Sequence, residues 1–119
     1  MIAQLENQTI GTSTYVIPFL DSGKTAQPLY IEFICKDATT GPMPQCEGQI
    51  QKTGNVGDIL PHTVFLGFKV PQIAVGKRVV YPVSNYVIGN LNTDTDTIEL
   101  EITQGNTGDW DINIFGYYS

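Results

Sequence analysis

The sequence predicts an all-β protein of the antiparallel β-sandwich class. Apolar and polar residues alternate with a period of two through most of the chain. Gly, Pro, Asn and Asp interrupt this alternation about every 8–12 residues, which is typical of turns between short strands. No window of about 11 residues has the apolar spacing of a helix. We therefore expect about seven or eight strands, almost no helix and, within the sandwich class, a jelly roll in preference to an immunoglobulin-like arrangement.

The expected strands follow one another along the whole chain. They are Thr9–Phe19, Leu29–Lys36, Cys46–Lys52, Thr63–Val70, Arg78–Ile88, Thr97–Thr103 and Trp110–Tyr118. Turn-forming segments separate them, because Gly tolerates a positive φ, Asp favours the first position of a turn and Pro cannot donate to a ladder. These segments include Asp21–Lys24, Ala38–Gln45, Gly54–Asp58, Pro71–Gly76, Asn90–Asp96 and Gln104–Asp109.

The alternation also predicts which side chains point into the sandwich. It is clearest in Thr97–Thr103, where Ile98, Leu100 and Ile102 share one face and two glutamates occupy the other. In Leu29–Lys36, the inward set consists of Ile31, Phe33 and Cys35. These positions are the expected core.

Length and charge exclude several classes of protein. The 119 residues, with a mass of 13.1 kDa, predict a single β-sandwich domain spanning 1–119. Charged residues make up only 15% of the chain, and the net charge is −6, so sequence-independent nucleic-acid binding is not expected. No apolar run reaches the ~20 residues of a membrane helix, and the N-terminus lacks the pattern of a secretory signal. We expect neither a membrane nor a nucleic-acid partner.

Two segments are apolar on both faces and predict a contact surface. A strand that is apolar on both sides is either central and covered twice, as ordinary core, or lies under a partner. A two-layer sandwich covers each strand only once, so the pattern favours a partner. The expected interface residues are Val79, Tyr81, Val83, Phe115 and Tyr117. The expected partner is a second copy of the chain or a capsid protein.

Carbohydrate binding is the alternative hypothesis. Aromatic rings beside amide and carboxylate groups suit sugars, and the residues that combine them are Asn106, Asp109, Trp110 and Tyr117. The acidic turn holding Asp94 and Asp96 offers oxygen ligands for Ca²⁺, although the EF-hand pattern is missing. A solvated turn explains the same residues, and no cofactor is expected.

The remaining reactive residues do not form a catalytic set. His62 is the only histidine, and no serine lies in a Gly-x-Ser-x-Gly elbow, so we expect a protein that is not an enzyme. Cys35 and Cys46 flank a loop at a spacing that suits a disulfide between neighbouring strands. In a reducing compartment the same pair would stay as thiols.

The last quarter of the chain carries two short resemblances. The ending Phe115-Gly116-Tyr117-Tyr118 after an acidic loop resembles the closing strand of trimeric tumour-necrosis-factor-like and complement-type head domains. The segments Gly105-Asn106-Thr107-Gly108 and Trp110–Ile114 are similar to the last strands of small Ca²⁺-dependent bacterial galactose lectins. Neither resemblance extends upstream, and no family is assigned from them.

Composition and the two-faced strands favour a structural role. We expect a virion component, either a capsid decoration protein or the head domain of a phage fibre, assembled in the host cytoplasm. The carbohydrate-binding alternative would instead place the protein outside the cell.

Overall fold

The fold is all-β, with two antiparallel sheets packed face to face. The computed structural model describes residues 1–36, 46–53, 62–71, 73–83, 90–105 and 108–119. Within these ranges there are strands and turns but no helix. The expected all-β sandwich is therefore confirmed at the level of two packed sheets.

Nine strands occur in the described residues. They are β1 (Ala3–Ile10), β2 (Thr14–Ile17), β3 (Thr25–Cys35), β4 (Cys46–Thr53), β5 (His62–Val70), β6 (Arg78–Pro82), β7 (Leu91–Asn92), β8 (Thr97–Gly105) and β9 (Gly108–Tyr118). The five-stranded sheet has the order β1-β9-β3-β6, with the two-residue β7 also paired to β3. The four-stranded sheet has the order β2-β8-β4-β5.

The strand pairings are nested along the chain. Strand β1 pairs with β9, β2 with β8, β3 with β6, and β4 with β5, all antiparallel. Two further pairings, β9 with β3 and β8 with β4, join these pairs into the two sheets. The pattern is that of one long folded hairpin whose successive strand pairs fall alternately in one sheet and the other.

The core lies between the sheets and follows the predicted alternation. Ile98, Leu100 and Ile102 are all at most 3% exposed, as expected from β8. Phe33 of β3 packs against Phe68 of the opposite sheet with ring centroids 4.8 Å apart. The other fully buried large side chains are Ile2, Ile10, Ile17, Ile31, Ile50, Leu91, Trp110, Ile112 and Ile114.

The N-terminal region differs from the sequence prediction. The expected strand Thr9–Phe19 is two strands, β1 and β2, and they belong to different sheets. The chain crosses between sheets near Gly11, whose N–H donates to the Tyr15 hydroxyl at 2.8 Å. Most of β1 was not predicted, because an irregularity at Asn7, with φ 47°, interrupts its alternation.

Strand β3 begins earlier than the predicted Leu29–Lys36 because the ladder tolerates its proline. Pro28 has no N–H to donate, and a register shift follows between it and Tyr30. Its partner on β9 is Gly116, where an added Cβ would collide with the carbonyl of Gln27. A glycine at this position therefore permits the close approach of the two central strands. Of the predicted strand Arg78–Ile88, residues 84–89 lie outside the described ranges.

Candidate functional site

The outer side of the five-stranded sheet carries a group of apolar side chains that are exposed or, for Phe115, half-buried. We call it the aromatic face, and it consists of Tyr30, Val80, Pro82, Phe115 and Tyr117. The rings of Tyr30 and Phe115 are stacked, with centroids 4.9 Å apart and planes 14° from parallel. Tyr117 is 64% exposed, Val80 47% and Tyr30 39%. These side chains come from three adjacent strands and form one surface.

Strand pairing explains how this surface arises. Tyr30 of β3 lies opposite Phe115 on one side and Pro82 on the other. Because successive residues of a strand point to opposite faces, Val80 and Tyr117 share the outward direction of these neighbours. The edge strand β6 ends at Pro82, which limits pairing with a further strand at that edge. The face itself is thus more available for contact than the edge beside it.

A row of hydrogen-bonded polar side chains lies next to the aromatic face. Gln4 Nε2 donates to Asn113 Oδ1 at 3.0 Å, and Asn113 Nδ2 donates to Glu32 Oε1 at 3.0 Å. Arg78 donates to Glu32 Oε2, also at 3.0 Å. Glu32 and Asn113 are buried although they point away from the core. Four strands are cross-linked by this row, which holds the aromatic face in one shape.

The charges that border the aromatic face are paired. Glu32 has Arg78 as its partner, and the Arg78 side chain stays 70% exposed at the rim. Asp111 accepts the N–H of Asn7 at 2.6 Å and lies 3.6 Å from the ammonium of Lys36. A surface with paired charges costs less to desolvate than one with single charges.

The structure divides the predicted interface residues between two directions. Phe115 and Tyr117 point outward on the aromatic face. Val79, Tyr81 and Val83 point inward, where Val83 is 7% exposed and the other two pack against the core. Tyr81 meets Phe33 edge-on at 5.9 Å. This segment has apolar residues at both odd and even positions, so the sequence alone could not show which side chains point inward.

The exposed partners of Phe115 were missed by the sequence analysis. Tyr30 precedes the inward Ile31 and therefore points outward, on the same side of the strand as the charged Glu32. This strand alone does not indicate an apolar outer surface. Val80 alternates with two inward residues in the same way. Only the pairing of three strands, which have no local sequence signal, brings these side chains beside Phe115.

The residues of the carbohydrate hypothesis do not form one cluster in the described structure. Trp110 is fully buried and packs edge-on against Phe33, so its ring faces no solvent. Asp109 accepts a hydrogen bond from the Thr9 hydroxyl at 2.6 Å. Tyr117 lies seven residues beyond Trp110 along β9, about 23 Å from it at ~3.3 Å per residue. Asn106 lies outside the described residues.

The acidic turn after β7 uses its carboxylates as acceptors. Asp94 Oδ1 accepts the N–H of Gly23 at 2.9 Å, and Asp96 Oδ2 accepts the N–H of Asn92 at 2.8 Å. Lys52 lies 3.5 Å from the second oxygen of Asp96. Among the described residues, no group of three or more His, Cys, Asp and Glu side chains is arranged to hold a metal ion.

Both cysteines are buried, and no disulfide joins them in the structure. Cys35 ends β3 and Cys46 opens β4, so the pair spans the two sheets rather than one ladder. Burial raises the pKa of the Cys46 thiol to about 12. Burial, with a smaller effect of Cys46, also raises the pKa of Tyr81. The backbone of His62 opens β5 opposite Thr53, and its side chain is not among those described.

Known proteins offer no guide to this surface. No family model, curated protein or solved structure matches the chain. Within the described ranges, no helix has the length and hydropathy needed to cross a membrane.

Proposed function

We propose that this chain is a non-enzymatic structural protein of a virion that binds further copies of itself through the aromatic face. Its role would be that of a capsid decoration protein or a fibre head domain, assembled in the host cytoplasm. The observation that carries the proposal is the aromatic face itself, where apolar side chains from three adjacent strands form one surface.

The composition of the face supports a protein partner. The central parts of protein interfaces are enriched in Tyr, Phe and Arg and depleted of unpaired charges. The aromatic face combines two tyrosines and a phenylalanine with Arg78 at the rim. Aromatic anchors of this kind contribute most of the binding energy in the interfaces where they have been measured.

The charge of the chain supports self-association at this face over other surfaces. Each copy has a net charge of −6, so two copies repel each other. The repulsion is least where acids are already paired, as Glu32 and Asp111 are. No sugar or nucleic acid is needed to explain such a face.

The nested strand pairing supports a finer assignment of the fold. We infer that the eight strands other than β7 form a jelly roll, with four in each sheet. This architecture recurs in viral capsid proteins and also in lectins. Because one fold hosts many functions, it supports the proposal only together with the aromatic face.

Two valines provide a matched test. Val80 on the aromatic face is 47% exposed and Val16 on the opposite sheet is 52% exposed. Both lie on edge strands, and both are paired in register with a glutamate, Glu32 or Glu99. The two substitutions Val80→Lys and Val16→Lys therefore add the same charge at exposed edge-strand positions, the first beside Glu32, which is paired with Arg78, and the second beside Glu99, which is bonded to Gln51.

Native mass by light scattering after size exclusion distinguishes them. The wild type and Val16→Lys are expected to be oligomers, and Val80→Lys is expected to be a monomer of about 13.1 kDa. Circular dichroism checks that both variants keep the β fold. Equal oligomers in all three proteins would remove this face from the assembly.

A further inference from the structure

A groove on the opposite sheet forms a second candidate site. It is open to solvent, has a volume of about 570 Å³ and lies over β4 and β5. The described residues that line it include Glu47, Gln49, Gly67, Lys69, Tyr81 and Thr103. A smaller hollow of about 160 Å³ adjoins it and shares Glu47 and Lys69.

The floor of the groove is a glycine that the fold does not require. Gly67 is exposed within β5, and a Cβ added there would meet no atom within 4 Å. Its φ is not in the left-handed region, and the irregularity of the β4–β5 ladder falls elsewhere. Glycine inside a strand lowers its stability and often marks a place where a ligand approaches the backbone. Gly67 fits this description.

The neighbours of Gly67 leave the space above it open. Its partner in register is Gln49, whose amide nitrogen donates to Glu101 at 3.0 Å and is thereby drawn toward β8. The next pair on the same face of the sheet is Glu47 and Lys69. Their charged groups form no ion pair with each other and, among the described residues, none with any other side chain.

The polar groups around the groove define the chemistry of a ligand. Glu47 accepts hydrogen bonds and repels anions, while Lys69 donates and repels cations. A neutral molecule rich in hydroxyl groups satisfies both and fits above a backbone floor. We propose that this groove binds a neutral sugar unit of a glycan.

A peptide added as an extra strand fits these observations less well. Such a strand would bind the open edge of β5, in the plane of the sheet. There the Lys69 carbonyl already accepts the Tyr81 hydroxyl at 2.8 Å. The groove also extends over the outward residues Glu47, Gln49 and Gly67, which a strand added in the plane of the sheet would not cover.

The test measures changes in the NMR chemical shifts of backbone amides in the ¹⁵N-labelled protein. Glucose, galactose, mannose, N-acetylglucosamine and N-acetylgalactosamine are each added at millimolar concentrations. The Val80→Lys background keeps the particle small. The Val80 side chain points away from Tyr81, which lines the groove, so binding can be measured without the proposed assembly. At least one sugar is expected to shift the amides of Gly67, Gln49 and Lys69 in a saturable way.

Two variants and a control locate the binding. Gly67→Val places a side chain in the groove at a position where a Cβ meets no atom within 4 Å, and valine favours strands, so the fold is expected to persist while the shifts disappear. Lys69→Met removes the donor and is expected to weaken binding at least about tenfold, a typical loss for an unpaired polar group. Thr14→Val, on the same sheet but in β2, should leave the affinity unchanged. Absence of saturable shifts with all five sugars, or shifts that persist in Gly67→Val, would overturn the proposal.

Discussion

The two outer surfaces of the sandwich differ in whether their charged side chains are paired and in how much apolar area they expose. On the five-stranded sheet, buried Glu32 is paired with Arg78, and rings lie exposed beside it. On the four-stranded sheet, the outward residues form what we call the acidic face, consisting of Glu47, Gln49, Gln51, Glu99 and Glu101. There Gln49 and Gln51 donate to Glu101 and Glu99 at 3.0 and 3.1 Å, and no described cation pairs with these carboxylates.

This difference shows that alternation alone does not define a water-facing surface. Strands of both sheets bury every second residue against the same core. The outward residues of β8 and β4 form a hydrated, negatively charged layer. Those of β3, β6 and β9 form an apolar surface with its charges neutralised. We attribute assembly to the aromatic face, and we place the sugar groove at the edge of the acidic face.

The largest effect is expected from a charge at the most exposed ring of the aromatic face. Tyr117→Glu would place an unpaired carboxylate in the contact and should weaken self-association at least about tenfold. The fold should be unaffected, because Tyr117 is 64% exposed. Concentration-dependent light scattering measures the change.

Val75→Glu is the control for that substitution, since Val75 is 53% exposed in the turn before β6 and belongs to neither face. If both variants dissociated equally, the effect would come from added charge and not from the aromatic face.

A smaller effect on stability should separate the two sets of glutamates. Glu32→Ala leaves the buried amide of Asn113 without its acceptor, which costs about 1–3 kcal/mol of unfolding free energy. Glu99→Ala loses one partly buried contact to Gln51 and should cost less than about 1 kcal/mol. Urea unfolding in the Val80→Lys background measures both without a contribution from assembly. Similar losses for the two substitutions would mean that the polar row is not what holds the aromatic face.

A last effect concerns the core beneath both faces and appears only at high pH. The pKa of the Cys46 thiol is raised from 9.0 to about 12, so the fold favours its neutral form. The associated stability is complete below pH 9.0 and is lost as the pH rises through about 12. The wild type should therefore lose stability relative to Cys46→Ala over this range, as measured by urea midpoints. If the urea midpoints of the two proteins changed in parallel with pH, this would show that Cys46 is accessible to water.

Sequence patterns predicted the fold class better than they predicted the surface. The strand containing Ile98, Leu100 and Ile102 has apolar residues on one face alone, so its inward side was unambiguous. The segment around Val79 and Tyr81 is apolar on both faces, and its direction became known only from its register with β3.

Long-range pairing explains the rest of what the sequence could not predict. Glu32 and Asn113 are 81 positions apart, and nothing local in either strand indicates that their side chains meet. Strand β1 was missed because the irregularity at Asn7 breaks its alternation. Tyr30 was not among the predicted interface residues, because it shares its strand face with Glu32 and its stacking partner Phe115 comes from the far end of the chain.

The most direct test of the account is the native mass of the unmodified chain over a range of concentrations. Light scattering after size exclusion should give a stable multiple of 13.1 kDa, unchanged by a chelator of divalent cations. A monomer at every concentration would contradict self-association through the aromatic face.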